Sequence, residues 1–380
     1  MPDLSQEETL RYARHLILPE VNLEGQKKLK AARVLCIGLG GIGSPTALYL
    51  AAAGVGNLGL IDDDIVDLSN LQRQVIHGTS DIGRKKIESA RDRIKELNPH
   101  TEVTLYDEFF SMKNATKIVK DYDLVIDGSD NFETRYLSND VCFFLKKPNV
   151  YGSVFRFDCQ FTLFAPHLGG PCYRCLFPEM PPPDAVPNCA EGGVLGVLPG
   201  IVGIMQSLQA LKFIIGIGEP LLGRFVHLDT ITMKFREFDL RKDPHCPLCG
   251  KSPTITHLMD QKKFMCTSKT MTAHSSLPTI TVEELKHSLA SSSPGILIDV
   301  REPWEYEAAH IAQARPIPLG ELASRAHELN PADTIYLQCR SGGRSAKALQ
   351  ILKEAGFEKL FNVEGGILAW SERIDASIKP

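Results

Sequence analysis

Arg33-Val-Leu-Cys-Ile-Gly-Leu-Gly-Gly-Ile-Gly43 carries an apolar strand directly into a cluster of glycines, and Ser44-Pro-Thr-Ala-Leu-Tyr-Leu-Ala-Ala-Ala53 behind it reads as a helix. In that setting G-x-G-x-x-G, here Gly38, Gly40 and Gly43 with Gly41 between them, has a physical meaning. The small residues let the backbone approach a phosphate, and amides at the helix N-terminus face its charge. The next strand, Asn57-Leu-Gly-Leu-Ile-Asp62, ends in a carboxylate about twenty residues beyond the last glycine, where an acid can accept hydrogen bonds from ribose hydroxyls. The stretch predicts an α/β nucleotide-binding fold; the plainer alternative is glycines that only pack a strand against a helix.

Downstream residues bear on which nucleotide is bound. Ser69-Asn-Leu-Gln-Arg73 follows a run of aspartates, Gly83-Arg-Lys-Lys86 opens a helix, and the strand Asp123-Leu-Val-Ile-Asp127 leads to Gly128-Ser-Asp-Asn131. Two cations, Arg73 and Lys86, and the carboxylate of Asp130 suit ATP and its Mg²⁺ better than a hydride carrier. Taken singly they read as surface charges and a turn or N-cap residue, and their order is what carries weight.

With Arg11-Tyr-Ala-Arg14 near the N-terminus, these segments resemble the ubiquitin-activating-enzyme-like MoeB/ThiF adenylyltransferases over residues 4 to about 250. The resemblance implies a Rossmann-like domain with Gly41 at the phosphates and Asp62 at the ribose. It puts Ser69, Asn70, Leu71, Gln72, Arg73 and Lys86 around the triphosphate, and Asp130 with Asn131 at Mg²⁺ and the α-phosphate. It also implies a symmetric homodimer in which Arg14 reaches the site of the second protomer. The reaction implied is attack of a carboxylate on the α-phosphate of ATP. No general base is required, because the carboxylate is already ionised at neutral pH.

Cys172-Tyr-Arg-Cys175 and Cys246-Pro-Leu-Cys249 are two C-x-x-C knuckles, and four thiolates would close a tetrahedral, structural Zn²⁺ site. The long gap between them leaves two unrelated cysteine pairs as the alternative; the resembling family carries zinc at matching positions. Cys189 falls in a Pro- and Gly-dense stretch expected to be a mobile loop, open to covalent chemistry or simply an incidental thiol. In the resembling family this cysteine attacks the acylated intermediate. Cys36, Cys142 and Cys159 are assigned to packing, and Cys266, in a linker, has no role.

The adenylation unit is placed at residues 1–250, and 251–277, without helical or strand period, is read as a linker. Residues 278–380 alternate short elements: helix 282–290, strand 295–300, strand 333–339, helix 345–356 and strand 359–363. The second of these strands ends at Cys339-Arg-Ser-Gly-Gly-Arg-Ser345. A cysteine heading such a loop sits among backbone amides at a helix N-terminus, with Arg340 and Arg344 adding positive charge for a thiolate or persulfide. With Asp299-Val-Arg-Glu302, Trp304, His310 and Gly365-Gly366, the segment resembles a rhodanese sulfurtransferase domain over residues 278–377, in which Cys339 matches the persulfide-forming cysteine. Ala309, Ala312 and Gln313 stand near His310 where that family has glycines and a proline, so a local loop change is expected. Phosphate-binding C-x-x-x-x-x-R loops are the rival, but Cys339 and Arg344 are one residue too close for them.

A net charge of −4 without a run of like charges gives no general case for nucleic acid or an anionic membrane. The polar N-terminus lacks a signal core, no stretch reads as long and apolar enough to span a bilayer, and a cytoplasmic location is expected. Ten cysteines then read as ligands and reactive thiols rather than a disulfide framework. Joined together, the two resemblances imply ATP-dependent activation of a ubiquitin-like sulfur carrier ending in Gly-Gly, of the molybdopterin-synthase small-subunit type. Sulfur would then come from Cys339, charged by thiosulfate or a cysteine desulfurase. Carriers for thiamine, cysteine or tRNA thiolation remain open at this point, as do a nicotinamide oxidoreductase with a fused sulfur domain and a non-catalytic carrier-binding scaffold.

Overall fold

In the first part of the chain, β1 (Arg33–Ile37), β2 (Asn57–Ile61), β3 (Glu102–Tyr106), β4 (Leu124–Asp127) and β5 (Asn149–Phe155) pair in parallel. Antiparallel β6 (Asp158–Phe164), β7 (Arg224–Asp229) and β8 (Lys234–Asp239) extend the same sheet, in the order β3-β2-β1-β4-β5-β6-β7-β8. β1, β2 and β4 are buried almost throughout, as parallel strands covered on both faces must be, and their sequences are accordingly continuous apolar runs. β8 is exposed along its whole length; its Lys, Arg, Glu and Asp side chains are of the kind that discourages pairing at an open edge. β2 and β3 lie on one side of β1, and β4 and β5 on the other, so the chain reverses its order between β1 and β4. That reversal opens a crevice at the carboxyl ends of those strands.

The structure, a computed structural model, describes residues 1–181, 193–258, 278–291 and 294–379, and divides the chain into two compact units, Met1–Thr270 and Met271–Pro380. Cys189, Cys266 and most of the expected linker lie outside the described residues. Ile255 is buried with Cys172, Cys246 and Cys249, so the chain stays packed on the first unit beyond Gly250.

One expectation is corrected. The helix Val197–Ile215 has the length and apolarity needed to cross a bilayer. It is nevertheless a core helix. About half of it is buried, and buried Gln206 donates to the carbonyls of Asp127 (2.7 Å) and Val150 (3.1 Å) on β4 and β5. Polar groups tied to a sheet in this way explain why the segment suits a protein interior.

In the second unit β9 (Thr279–Ile280), β10 (Ile296–Asp299), β11 (Ala314–Pro316), β12 (Ile335–Gln338) and β13 (Leu360–Val363) form a parallel sheet ordered β11-β10-β12-β13-β9. Alternation along its strands builds two cores. Ile298 and Leu337 pack with Leu349 and Leu352 of the helix Gly343–Glu354, while Leu297 and Tyr336 pack with Ile367 and Trp370 of Gly366–Arg373.

Candidate active sites and metal centre

The crevice beyond β1, β2 and β4 is a cavity of about 430 Å³. It is lined by Gly38, Gly40, Gly41, Asp62, Asn70, Arg73, Lys86, Asp130 and Asn131. Gly38 turns the chain at φ +84°, and a Cβ on Gly43 would stand 1.9 Å from the Gly38 carbonyl oxygen. Only glycine lets the loop close this tightly onto the start of the helix Gly43–Ala52.

Charged groups are fixed around this loop. Asp62 accepts hydrogen bonds from the Leu39 amide (2.7 Å) and the Asp64 amide (3.0 Å), and burial pushes its carboxyl up despite nearby Lys86. The Lys86 ammonium, on a side chain 6% exposed, is 2.7 Å from Asp64. Arg73 donates to the Ser69 carbonyl (3.0 Å). Asn131 caps the helix Phe132–Phe144 by accepting from the Thr134 amide (2.8 Å), so the capping task falls to Asn131, and Asp130 stays exposed at the cavity.

Beside Phe143 and Phe144 of the helix Phe132–Phe144, the two knuckles meet. All four sulfurs lie within 4.8 Å of one another, with Cys172–Cys175, Cys172–Cys246 and Cys175–Cys249 separated by 3.9, 3.6 and 3.4 Å. A tetrahedron with metal–sulfur bonds of about 2.3 Å has edges of about 3.8 Å, so the donor set fits a dication. Amides of Cys172, Cys249 and Asp243 donate to Cys175, Cys246 and Cys175 sulfurs in turn, as they would to thiolates.

In the second unit, β12 ends at Cys339. The residue is 1% exposed, and its sulfur accepts from the Gly342 amide (3.1 Å) and the Ser345 hydroxyl (3.4 Å) at the start of the helix Gly343–Glu354. Gly366 packs its backbone against this loop; a Cβ there would lie 2.2 Å from the Cys339 carbonyl oxygen. Arg344 is held by Glu305 in a two-bond ion pair (2.6 and 2.7 Å), while Arg340 is exposed. His310 stacks on Tyr306 with ring centres 4.1 Å apart and takes the Tyr306 carbonyl at Nδ1.

Residues 12–248 match the ThiF family and residues 281–373 the rhodanese-like domain. A Mycobacterium tuberculosis protein named "Probable adenylyltransferase/sulfurtransferase MoeZ" is 47% identical over 377 residues, covering 98% of this chain and 95% of its own length. Adenylyltransferase and sulfurtransferase MOCS3 of Drosophila ananassae is 41% identical over 389 residues, with 98% and 86% covered. The chain belongs to the ThiF family. It is an enzyme, an adenylyltransferase and sulfurtransferase. The fold of its ThiF unit is shared with MccB of E. coli, at a TM-score of 0.58 and 22% identity over 63% of this chain and 75% of that one.

The ThiF cavity thus gathers most, though not all, of the residues singled out in sequence. Gly43 lies behind the loop, and Ser69, Leu71 and Gln72 are outside the lining. Arg14, on the short helix Ala13–Leu16, is exposed and also outside it. Buried Arg135 is a residue that sequence reasoning missed. It lines the cavity, donates to the Ser129 carbonyl (3.2 Å) and lies 5.7 Å from the Phe132 and Tyr151 ring centres. Its signal is present in the chain: four residues after Asn131 on a helix is the same face. Cys36, Cys142 and Cys159 are buried packing thiols, and burial pushes Cys36 up to about 12 and Cys159 to about 11.

Proposed function

We propose that this enzyme uses ATP to adenylate the C-terminal carboxylate of a ubiquitin-like sulfur-carrier protein, and then converts it to a thiocarboxylate with sulfur from a Cys339 persulfide. The observation that carries this reading is the gathering of Gly41, Asp62, Arg73, Lys86 and Asp130 around one cavity, in a chain whose second unit sets Cys339 at a helix N-terminus. Near full-length similarity to MoeZ favours a molybdopterin-synthase type of carrier, and hence molybdenum cofactor biosynthesis.

A carboxylate oxygen of the carrier attacks the α-phosphorus of ATP, the bond to the bridging oxygen breaks, and pyrophosphate leaves. Arg73 and Lys86, joined by Arg14 of a second protomer, stabilise the charge that develops on the leaving group. Asp130 would hold Mg²⁺, which supplies charge neutralisation at the phosphate oxygens. Cys172, Cys175, Cys246 and Cys249 would hold a structural Zn²⁺, with no open position for chemistry.

The terminal sulfur of the Cys339 persulfide then attacks the acyl carbon, expelling AMP and leaving an acyl disulfide. Cys189 attacks the Cys339 sulfur of that disulfide; the thiocarboxylate departs, and a Cys189–Cys339 disulfide remains for a thiol reductant. Thiosulfate or a cysteine desulfurase recharges Cys339.

The test is Asp130→Ala. Carrier-dependent exchange of pyrophosphate into ATP should vanish, while sulfur transfer from thiosulfate to cyanide stays near wild type. Unchanged exchange would remove Asp130 from the reaction.

A further inference from the structure

The two residues inside the first knuckle, Tyr173 and Arg174, are each gripped by the helix Phe132–Phe144. The Tyr173 amide donates to Asn139 Oδ1 at 2.7 Å. The Arg174 guanidinium makes two bonds to Asp140, Nε to Oδ1 and Nη2 to Oδ2, both 2.8 Å. Asn139 Nδ2 also donates to Asp140 (3.0 Å), and the Arg174 guanidinium lies 4.6 Å from the Tyr136 ring centre. Neither charge is a surface charge. The side chains of Arg174 and Asp140 are 3% and 0% exposed.

Such a pair is a poor choice for stability alone, since desolvating two charges offsets most of their attraction and an apolar pair of equal volume often does as well. What it supplies is direction. A planar guanidinium on a carboxylate fork has one geometry, and here that geometry fixes the backbone between Cys172 and Cys175. The second knuckle meets the first through sulfur contacts and the Asp243 amide, and its Leu248 and the following Ile255 share a buried cluster with Phe143 and Phe144 of the same helix, so both knuckles are seated on that helix and the ion pair is what fixes the first.

We propose that Asp140, acting through Arg174, is a positioning residue of the four-cysteine cluster, holding the Cys172–Cys175 knuckle in metal-binding geometry. The inference rests on the proposal above that the cluster binds Zn²⁺. It adds a role for residues that touch no metal. Groups of this kind, which orient ligands without binding the ion, change metal affinity by about 10- to 100-fold.

The experiment follows zinc release from full-length protein to a chromogenic chelator for wild type, Asp140→Asn and Ile255→Ala. Ile255 is buried against the same cysteines but makes no part of the ion pair. Each protein is assayed at the same interval below its own melting temperature, so general loosening cancels. Asp140→Asn should release metal at least about tenfold faster than Ile255→Ala. Equal rates would overturn the inference while leaving the metal site intact; wild type without zinc would overturn both. Arg174→Lys keeps the charge without the fork, and decides the same question should Asp140→Asn fail to fold. Faster release than Ile255→Ala supports the role, and release at the Ile255→Ala rate refutes it.

Discussion

Both carboxylate oxygens of Glu305 are bound by Arg344, at 2.6 and 2.7 Å, five residues along the chain from Cys339. The ion pair braces the sulfur loop against the helix Pro303–Ala308 and occupies one of the two arginine charges that the loop sequence offers. Burial works to raise the Glu305 carboxyl, but the bonds from Arg344 and the Glu302 amide outweigh it and hold it below the usual carboxylate range. A group with a depressed folded pKa stabilises the fold fully above its unfolded value, about 4.3, and loses that contribution as pH falls through the lower folded value. Glu305→Gln should therefore destabilise the second unit by about 2 kcal/mol at neutral pH. Calorimetry of the full chain should find that gap constant from pH 8 to about 5 and closing below about pH 4. A gap that widens on acidification would mean the pair does not brace the loop.

Gly43→Ala should abolish nucleotide chemistry, because its Cβ would overlap the Gly38 carbonyl at 1.9 Å and backbone on both sides would have to shift. A displacement near 1 Å at a reacting centre costs about 100-fold, and pyrophosphate exchange should fall by at least that much. Gly200→Ala, where no atom beyond the local helix backbone lies within 4 Å of the new carbon, is the matched control in the helix Val197–Ile215 and should keep wild-type exchange. Equal behaviour of the two variants would show that the Gly38 turn does not cradle the phosphates.

Protein prepared without chelator should carry about one zinc per chain, and Cys246→Ser should lose it together with thermal stability of the first unit. Cys246 has 0% exposure and sits 3.6 Å from Cys172, so the change breaks one corner of a buried tetrahedron. Elemental analysis of both proteins decides it. Full metal content in Cys246→Ser would exclude that sulfur as a ligand.

The parts legible in the sequence were those with a period or a punctuated turn. Arg33–Gly43 announced strand, turn and helix, and the C-x-x-C pairs announced their own meeting despite the distance between them in the chain. β9 and β11 were not legible, being two and three residues long and so too short to show alternation. The length of the helix Val197–Ile215 was not legible, since no stretch was expected to be long and apolar enough for a bilayer whereas this one is, and only the bonds of Gln206 to the sheet show what it packs on. The loop arginines read alike in sequence; only the fold brings Glu305, thirty-nine residues earlier, against one of them. Which positions of Ser69–Arg73 face the cavity was equally hidden, because the short turn Leu68–Asn70, capped by Asp67, sets their directions.

The sharpest prediction separates Cys339 from Cys189. Cys339 has a defined setting, with its sulfur accepting hydrogen bonds at a helix N-terminus where an anionic persulfide is favoured. Cys339→Ala should leave adenylate formation intact and stop thiocarboxylate production from thiosulfate. Added inorganic sulfide should restore it, because free sulfide attacks the acyl adenylate directly. With Cys189 as the resolving thiol proposed above, Cys189→Ala should let the acyl disulfide on Cys339 accumulate as a covalent carrier adduct that dissolves when a thiol reductant is added. Intact mass spectrometry before and after reductant reads both outcomes on one sample. An adduct that survives reductant would place the carrier on some other group than a disulfide sulfur, and thiocarboxylate made from thiosulfate by Cys339→Ala at the wild-type rate would disprove the sulfur route itself.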